Sequence, residues 1–199
     1  MPRILSALLL ILICVNFLDI PLAEAIARIM GRNFLHSRAI SNLPDLLSVV
    51  TIFSTFACWA GYSLLSKRKA PMASLFMASG ISIPLAFAAK SILKWIFGRT
   101  NTRIWLTGTP DSFHWFQGGN NFEGFPSGHM LVFTPIFLLL LEVFPKLRLP
   151  ILGAWLGLGA ALLLTEYHFP GDVLAGAFIG MMLHFAAKNL VRWKITRFQ

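Results

Sequence analysis

Two histidines stand at the mouths of long apolar runs. His129 lies in "GFPSGHML" (Gly124–Leu131), and His168 lies in "TEYHFPGD" (Thr165–Asp172). A third stretch, "AAKSILKWIFGRTNTRIW" (Ala88–Trp105), carries Lys90, Lys94, Arg99 and Arg103. Lysine and arginine neutralise phosphate oxygens, arginine with a bidentate fork. Ser127 and Gly128 open a helix, where free backbone N–H groups and the positive end of the dipole favour an anion. Gly128 allows close approach and Ser127 offers a hydroxyl. Such a pocket suits a phosphoryl group, including the charge on its equatorial oxygens in a transition state.

Two histidines then have two tasks available. One attacks phosphorus to give a phosphohistidine, and the other protonates the leaving oxygen. Asp172 follows His168 by four residues, one turn of a helix, and can accept the N–H of the ring nitrogen that does not attack. His129 has no carboxylate in its immediate sequence, so the acid role falls to it. The scheme requires no cofactor and no metal, and no carboxylate cluster is present to hold one.

These residues must be brought to one level by the elements around them. Six apolar runs of roughly the 20 residues that cross a bilayer can be marked: Ile4–Ala23, Leu46–Leu65, Met72–Phe97, Leu131–Val143, Leu149–Tyr167 and Val173–Val191. The fourth is short, contains Pro135, and can be extended back to Ser127. No run shows strand-like alternation, which predicts an all-α, six-helix transmembrane bundle. Neither a repeat nor a low-complexity linker divides residues 1–199, so one domain is expected. Arg3, the apolar Ile4–Leu18 and "AEA" at Ala23–Ala25 also resemble a secretory signal. An ordinary first transmembrane helix is the preferred reading.

Composition agrees. The chain of 199 residues is 56% hydrophobic and 13% charged, with a mean hydropathy of +0.70, whereas soluble domains are about 45–50% apolar and about 25% charged. The net charge of +9 is dispersed in short clusters between apolar runs. That pattern argues for membrane orientation and against nucleic acid as a partner. Cys14 and Cys58 lie inside apolar runs without zinc spacing and read as small hydrophobes.

With six crossings, Arg3, Lys67, Arg68, Lys69, Lys146, Arg148, Lys188, Arg192, Lys194 and Arg197 share one face, ten of the seventeen basic residues. The positive-inside rule makes that face cytoplasmic, with both termini inside. Arg28, Arg32, Arg38, the loop Gly98–Phe125 and the turn at His168 go to the other face. His129 and His168 therefore return to one extracytoplasmic layer, which the end of the third run also reaches. Lys90 and Lys94 share one side of a helix; charges so deep in an apolar helix are costly and seldom face lipid. Snorkelling to the interface is the plainer account of Lys90.

The order Lys…Arg, then Pro-Ser-Gly-His, then His-x-x-x-Asp resembles the type 2 phosphatidic acid phosphatase superfamily, which also holds bacterial acid phosphatases and vanadium haloperoxidases. The resemblance covers Lys90 to Gly176 and the six-helix layout of the membrane branch. It implies Lys94 and Arg99 as phosphate ligands of the first motif, with Ser127, Gly128 and the acid His129 as the second. It implies the nucleophile His168 and its orienting Asp172 as the third. Two departures stand out. Counted from Lys94, Asn101-Thr102 occupies the first motif's Arg-Pro, so Arg99 comes two residues early. Ala161 and Leu162 occupy the third motif's Ser-Arg, and Arg103 is expected to replace the missing arginine.

The function so implied is hydrolysis of a lipid phosphate or diphosphate monoester at the outer face of the cytoplasmic (inner) membrane. Substrates of the phosphatidic acid, phosphatidylglycerol phosphate, undecaprenyl diphosphate or lipid A type would fit. The partner is thus a phosphorylated membrane lipid. A phosphotransferase with the same pocket and a non-catalytic lipid-phosphate binding or transport protein are the alternatives. A hydrophobic chain argues against a haloperoxidase. His114, among Phe113, Trp115 and Phe116, reads as part of an interfacial aromatic belt, with a substrate-touching lid as the sharper alternative. Glu166 reads as a partner for a cation or an interface carboxylate. Gly118-Gly119 and Asn120-Asn121 read as a mobile loop near the site. His36 and His184 have no partner in sequence, and His184 reads as packing in the last helix.

Overall fold

The computed structural model describes residues 2–30, 43–68, 72–119 and 121–197, and within them the fold is helical. Arg32, His36, Arg38, Lys69 and Asn120 lie outside the described residues. The first span joins α1 (Pro2–Ile13) to α2 (Asp19–Met30) through a π-helical turn, Cys14–Leu18. α3 (Leu43–Lys67) and α4 (Ala73–Phe97) pack along each other. Then come the short α5 (Thr102–Trp105), α6 (Gly128–Val143), a 3-10 turn at Pro145–Leu147, α7 (Arg148–Leu164) and α8 (Pro170–Arg197).

Among the described residues, five helical segments are long and apolar enough to cross a membrane: Ile4–Ile29, Leu46–Lys67, Ala73–Phe97, Pro145–Leu164 and Pro170–Lys194. That is one fewer than the six expected. The remaining run is α6, sixteen residues long, or about 24 Å at about 1.5 Å per residue. It begins where Ser127 was expected to start it. Its surroundings explain the shortness, because α6 is the interior helix, packed against α3, α4, α7 and α8. Leu131 and Val132 are buried with Leu47 of α3 and Ala86 of α4, and Met130 with Leu162 of α7 and Val173 of α8. The outer helices show lipid-like faces instead, with Phe53 75% and Leu149 83% exposed. Side chains of that size are not left in water in such numbers.

α8 lies directly on the α6 backbone. A Cβ at Gly176 would strike the carbonyl oxygen of Ser127, and one at Gly180 would come 2.5 Å from that of Leu131. Two glycines four apart thus form the small-residue face by which membrane helices approach closely. Toward the other end His184 is fully buried, its Nε2 3.6 Å from Glu142 Oε1, and Lys188 Nζ reaches the same oxygen at 2.6 Å. That histidine packs, as expected, but inside a charged cluster joining α6 and α8. Cys14 and Cys58 are buried free thiols.

Candidate active site

α4 ends at Gly98, whose left-handed conformation (φ 54°) closes the helix with its N–H on the Lys94 carbonyl. The chain then doubles back, with His114 N–H donating to Gly98 O and Thr100 N–H to Ser112 O. This linker roofs the end of the bundle at which α4 stops and α6 and α8 begin.

A pocket of about 270 Å³ opens there, lined by Lys90 and Lys94 of α4, Gly128 and His129 of α6, and Leu47, Asn101, Glu123 and Tyr167. Lys90 and Lys94 share one face of α4, as the spacing requires. Lys90 Nζ lies 4.1 Å from the Phe87 ring centroid, and Lys94 Nζ lies 3.5 Å from Glu123 Oε2. The lysine stems rest on the first turn of α6, where a Cβ on Gly128 would come 2.7 Å from Lys90 Cδ. The absent side chain at Gly128 is what lets the Lys90 stem lie against a helix N-terminus, whereas Lys94 would keep ordinary contact with a Cβ there.

Ser127 takes a different place from the one expected of a ligand. It is fully buried and caps α6, its Oγ accepting from Met130 N–H at 3.5 Å, a long contact for such a cap. Its own N–H donates to the Asp172 carbonyl at 3.0 Å, tying α6 to α8.

His129 and His168 face each other with ring centroids 6.4 Å apart, and Tyr167 is edge-on to both, 5.4 Å from His129 and 5.2 Å from His168. His168 Nδ1 is 3.6 Å from Asp172 Oδ2, longer than a formed hydrogen bond, as is common in unliganded sites. Asp172 is locked by α8 itself. Pro170 occupies the first helical position, and Asp172 Oδ2 accepts the Phe169 N–H at 2.9 Å, a carboxylate reaching back one turn as in a capping box. Burial pushes the His168 imidazole below its ordinary range, with Asp172 opposing, so the ring is neutral at neutral pH.

Arg99 is the main departure from the expected ligand set. Its side chain is fully buried and does not line the pocket. Nη1 meets Asp19 Oδ2 at 2.7 Å and Asp172 Oδ1 at 2.8 Å, while Nε and Nη2 donate to Asp111 at 3.0 and 2.7 Å. Desolvation opposes the charge on the guanidinium, but these three carboxylates outweigh it and push its proton affinity above the ordinary arginine value. This arginine thus points away from the pocket lining and into the bundle.

Arg103 does approach the turn before His168. Its Nη2 donates to Thr165 O at 3.3 Å and its guanidinium lies 4.9 Å from the Tyr167 ring centroid. Glu166 is buried beside it; burial raises its carboxyl above the usual range and Arg103 opposes. His114 is bonded to Ser112 at 2.7 Å and lies tilted against the Phe122 ring, centroids 4.3 Å apart, away from the pocket lining. Trp115 and Phe116 around it are more than half exposed.

Sequence reasoning missed Asp19, Asp111, Glu123 and Tyr167. Asp19 carried a usable signal: a carboxylate inside an apolar span requires a buried partner.

The profile of the PAP2 superfamily matches residues 70–196, the segment that contains α4, α6, both histidines and α8 up to its last residue. A lipid A 1-phosphatase of Rhizobium johnstonii is 29% identical over 140 residues, 67% of this chain and 57% of that protein. A lipid A 1-phosphatase of Rhizobium etli is 27% identical over 156 residues, 71% of this chain and 67% of that protein. The chain thus spans little more than half the length of the first of these relatives. The fold is similar to the crystal structure of a transmembrane PAP2 type phosphatidylglycerolphosphate phosphatase from Bacillus subtilis, with a TM-score of 0.55 over the whole of both chains at 21% identity. A profile match across more than half of the sequence, ending beyond the last site residue, means that the chain belongs to the PAP2 superfamily.

Proposed function

We propose that this single-domain chain is an integral membrane phosphatase that hydrolyses a phosphate or diphosphate monoester of a membrane lipid through a phosphohistidine. The observation that carries the reading is the facing pair His129 and His168 beside a pocket walled by Lys90 and Lys94. Neutral His168 Nε2 attacks phosphorus as the bond to the lipid oxygen breaks, and His129 passes its proton to that oxygen. Asp172 holds the Nδ1–H and stabilises the positive ring. Water then attacks the phosphorus, gives its proton to His129, and the P–N bond breaks to release phosphate and restore His168. Lys90, Lys94 and the N–H groups opening α6 neutralise the phosphoryl oxygens, with Arg103 approaching from the opposite loop. Ser127 contributes by holding that helix end rather than by touching phosphate, and Arg99 acts behind Asp172.

The names of the relatives support a phosphorylated membrane lipid as substrate. Counting α6 as a crossing gives six. The site end of the bundle then faces the cell exterior or periplasm, and the basic clusters Lys67-Arg68, Lys146-Arg148 and Arg192-Lys194 face the cytoplasm. The test is phosphate release in detergent, with chelator present, from phosphatidic acid, phosphatidylglycerol phosphate, undecaprenyl diphosphate and lipid A. Chelator-resistant turnover that His168→Ala abolishes is expected, with inhibition by vanadate, a pentacoordinate phosphoryl mimic. Full activity in His168→Ala would overturn the mechanism. Tight lipid binding without turnover on any of the four would favour a binding or transport protein.

A further inference from the structure

The first span contains one carboxylate with no exposed surface, Asp19. It directly follows the π-helical turn Cys14–Leu18, a device that inserts an extra residue and re-aims what comes next. Asp19 Oδ1 accepts the Gly171 N–H of α8 at 2.7 Å, and Oδ2 takes Arg99 Nη1 at 2.7 Å. The same Nη1 reaches Asp172 Oδ1 at 2.8 Å. Asp172 therefore has one oxygen pinned by Arg99 and the other on the Phe169 N–H, 3.6 Å from His168 Nδ1.

We propose that Arg99 is a positioning residue for His168, acting through Asp172, and that Asp19 sets Arg99 in place and offsets its charge. The proposal rests on the reading of His168 as nucleophile. A guanidinium held against only one carboxylate draws electron density from it and weakens it as an acceptor. Asp19 on Nη1 and Asp111 on Nε and Nη2 supply compensating negative charge, so Asp172 is fixed by Arg99 yet keeps its basicity toward the imidazole. His168 is also faced by Lys94 from α4, His129 from α6 and Tyr167 from its own turn, none of which changes in the variants below. The first span thus reaches the His168 ring, at Nδ1, through three links, although it lies outside the segment matched by the family profile.

Asp19→Asn is nearly isosteric. Its carbonyl oxygen still accepts the Gly171 N–H, while its amide can no longer accept from Arg99. The full chain in detergent is compared with wild type on one lipid substrate, so that ionisation of the substrate cancels. The expected result is a kcat lower by about tenfold, a KM within about twofold, and an acid limb of kcat/KM moved down by about half a pH unit. Wild-type kcat with an unmoved acid limb overturns the proposal. So does a loss of activity that follows the thermal midpoint while the acid limb stays in place, because that is a purely structural role. Should Asp19→Asn fail to fold, Asp111→Asn removes a carboxylate from the other edge of Arg99 at a site 16% exposed. The acid limb must then move in the same direction, and an unmoved limb overturns the proposal. Turnover retained by His168→Ala overturns the nucleophile assignment and this proposal with it. An inactive His168→Ala beside an unchanged Asp19→Asn overturns this proposal alone.

Discussion

Gly128 lies beneath the stem of Lys90, so close that a Cβ would stand 2.7 Å from Lys90 Cδ and 2.8 Å from Cγ. Gly128→Ala must therefore displace the lysine from the first turn of α6. Because Gly128 is the first residue of α6, alanine gains little there in helix propensity, and the thermal midpoint is expected to fall modestly as Lys90 shifts. Substrate binding is expected to weaken, with KM rising about tenfold while kcat changes less. A KM equal to that of wild type would show that Lys90 does not engage the phosphoryl group from this position.

The acid role of His129 predicts a dependence on the leaving group. His129→Gln is expected to lose about 10²–10³ in kcat on a lipid phosphate, whose alkoxide needs a proton, within the usual range for general acid catalysis. On p-nitrophenyl phosphate the leaving group departs unprotonated, and the loss in the burst of nitrophenol should be at least tenfold smaller. Equal losses on both substrates would assign His129 to phosphate binding instead.

Burial lowers the proton affinity of His168 and Asp172 only partly restores it. The ring therefore stays neutral to lower pH than a free histidine, and the acid limb of kcat/KM attributable to it should lie below about 6.5. The stability it contributes has the same sign. The unfolded chain binds this proton more readily than the folded one, so the contribution is present above about pH 6.5 and is lost as pH falls through the lower folded value. The difference in thermal midpoint between wild type and His168→Gln should be constant at the top of pH 5–8 and shift against the wild type as pH falls, with the variant less sensitive to acid. Parallel curves would remove His168 as the titrating group.

The parts of this architecture that were readable in sequence are those set by local pattern. Apolar run length located the helices, and the four-residue spacing placed Lys90 with Lys94 and His168 with Asp172. The start of α6 followed from Ser127 and Gly128. What could not be read depended on registration across the bundle. Whether an arginine at position 99 points into the pocket or away from it turns on the direction the chain takes after Gly98. The three carboxylates that receive Arg99 come from 80 residues upstream, 12 downstream and 73 downstream. The fourth apolar run, already the short one in the sequence, is the sixteen-residue α6, and its burial among four helices was not legible from hydropathy.

The contact between α6 and α8 gives an internal contrast among glycines. At Gly176 a Cβ would meet the backbone carbonyl of Ser127, which cannot rotate away, whereas at Gly157 of α7 nothing lies within 4 Å. Gly157→Ala should leave the thermal midpoint unchanged or raised, since it adds helix propensity in open space. Gly176→Ala forces α8 off α6, an overpacking cost of about 1–3 kcal/mol, and does so where Ser127 N–H bonds to Asp172 O. The helix end that presents Gly128 and His129 then separates from the helix that carries Asp172. Activity should therefore fall by more than the lost stability accounts for when both variants are assayed well below their midpoints. If Gly176→Ala keeps wild-type kcat while its midpoint drops, the α6–α8 contact serves stability alone and the site tolerates a shift between its two halves.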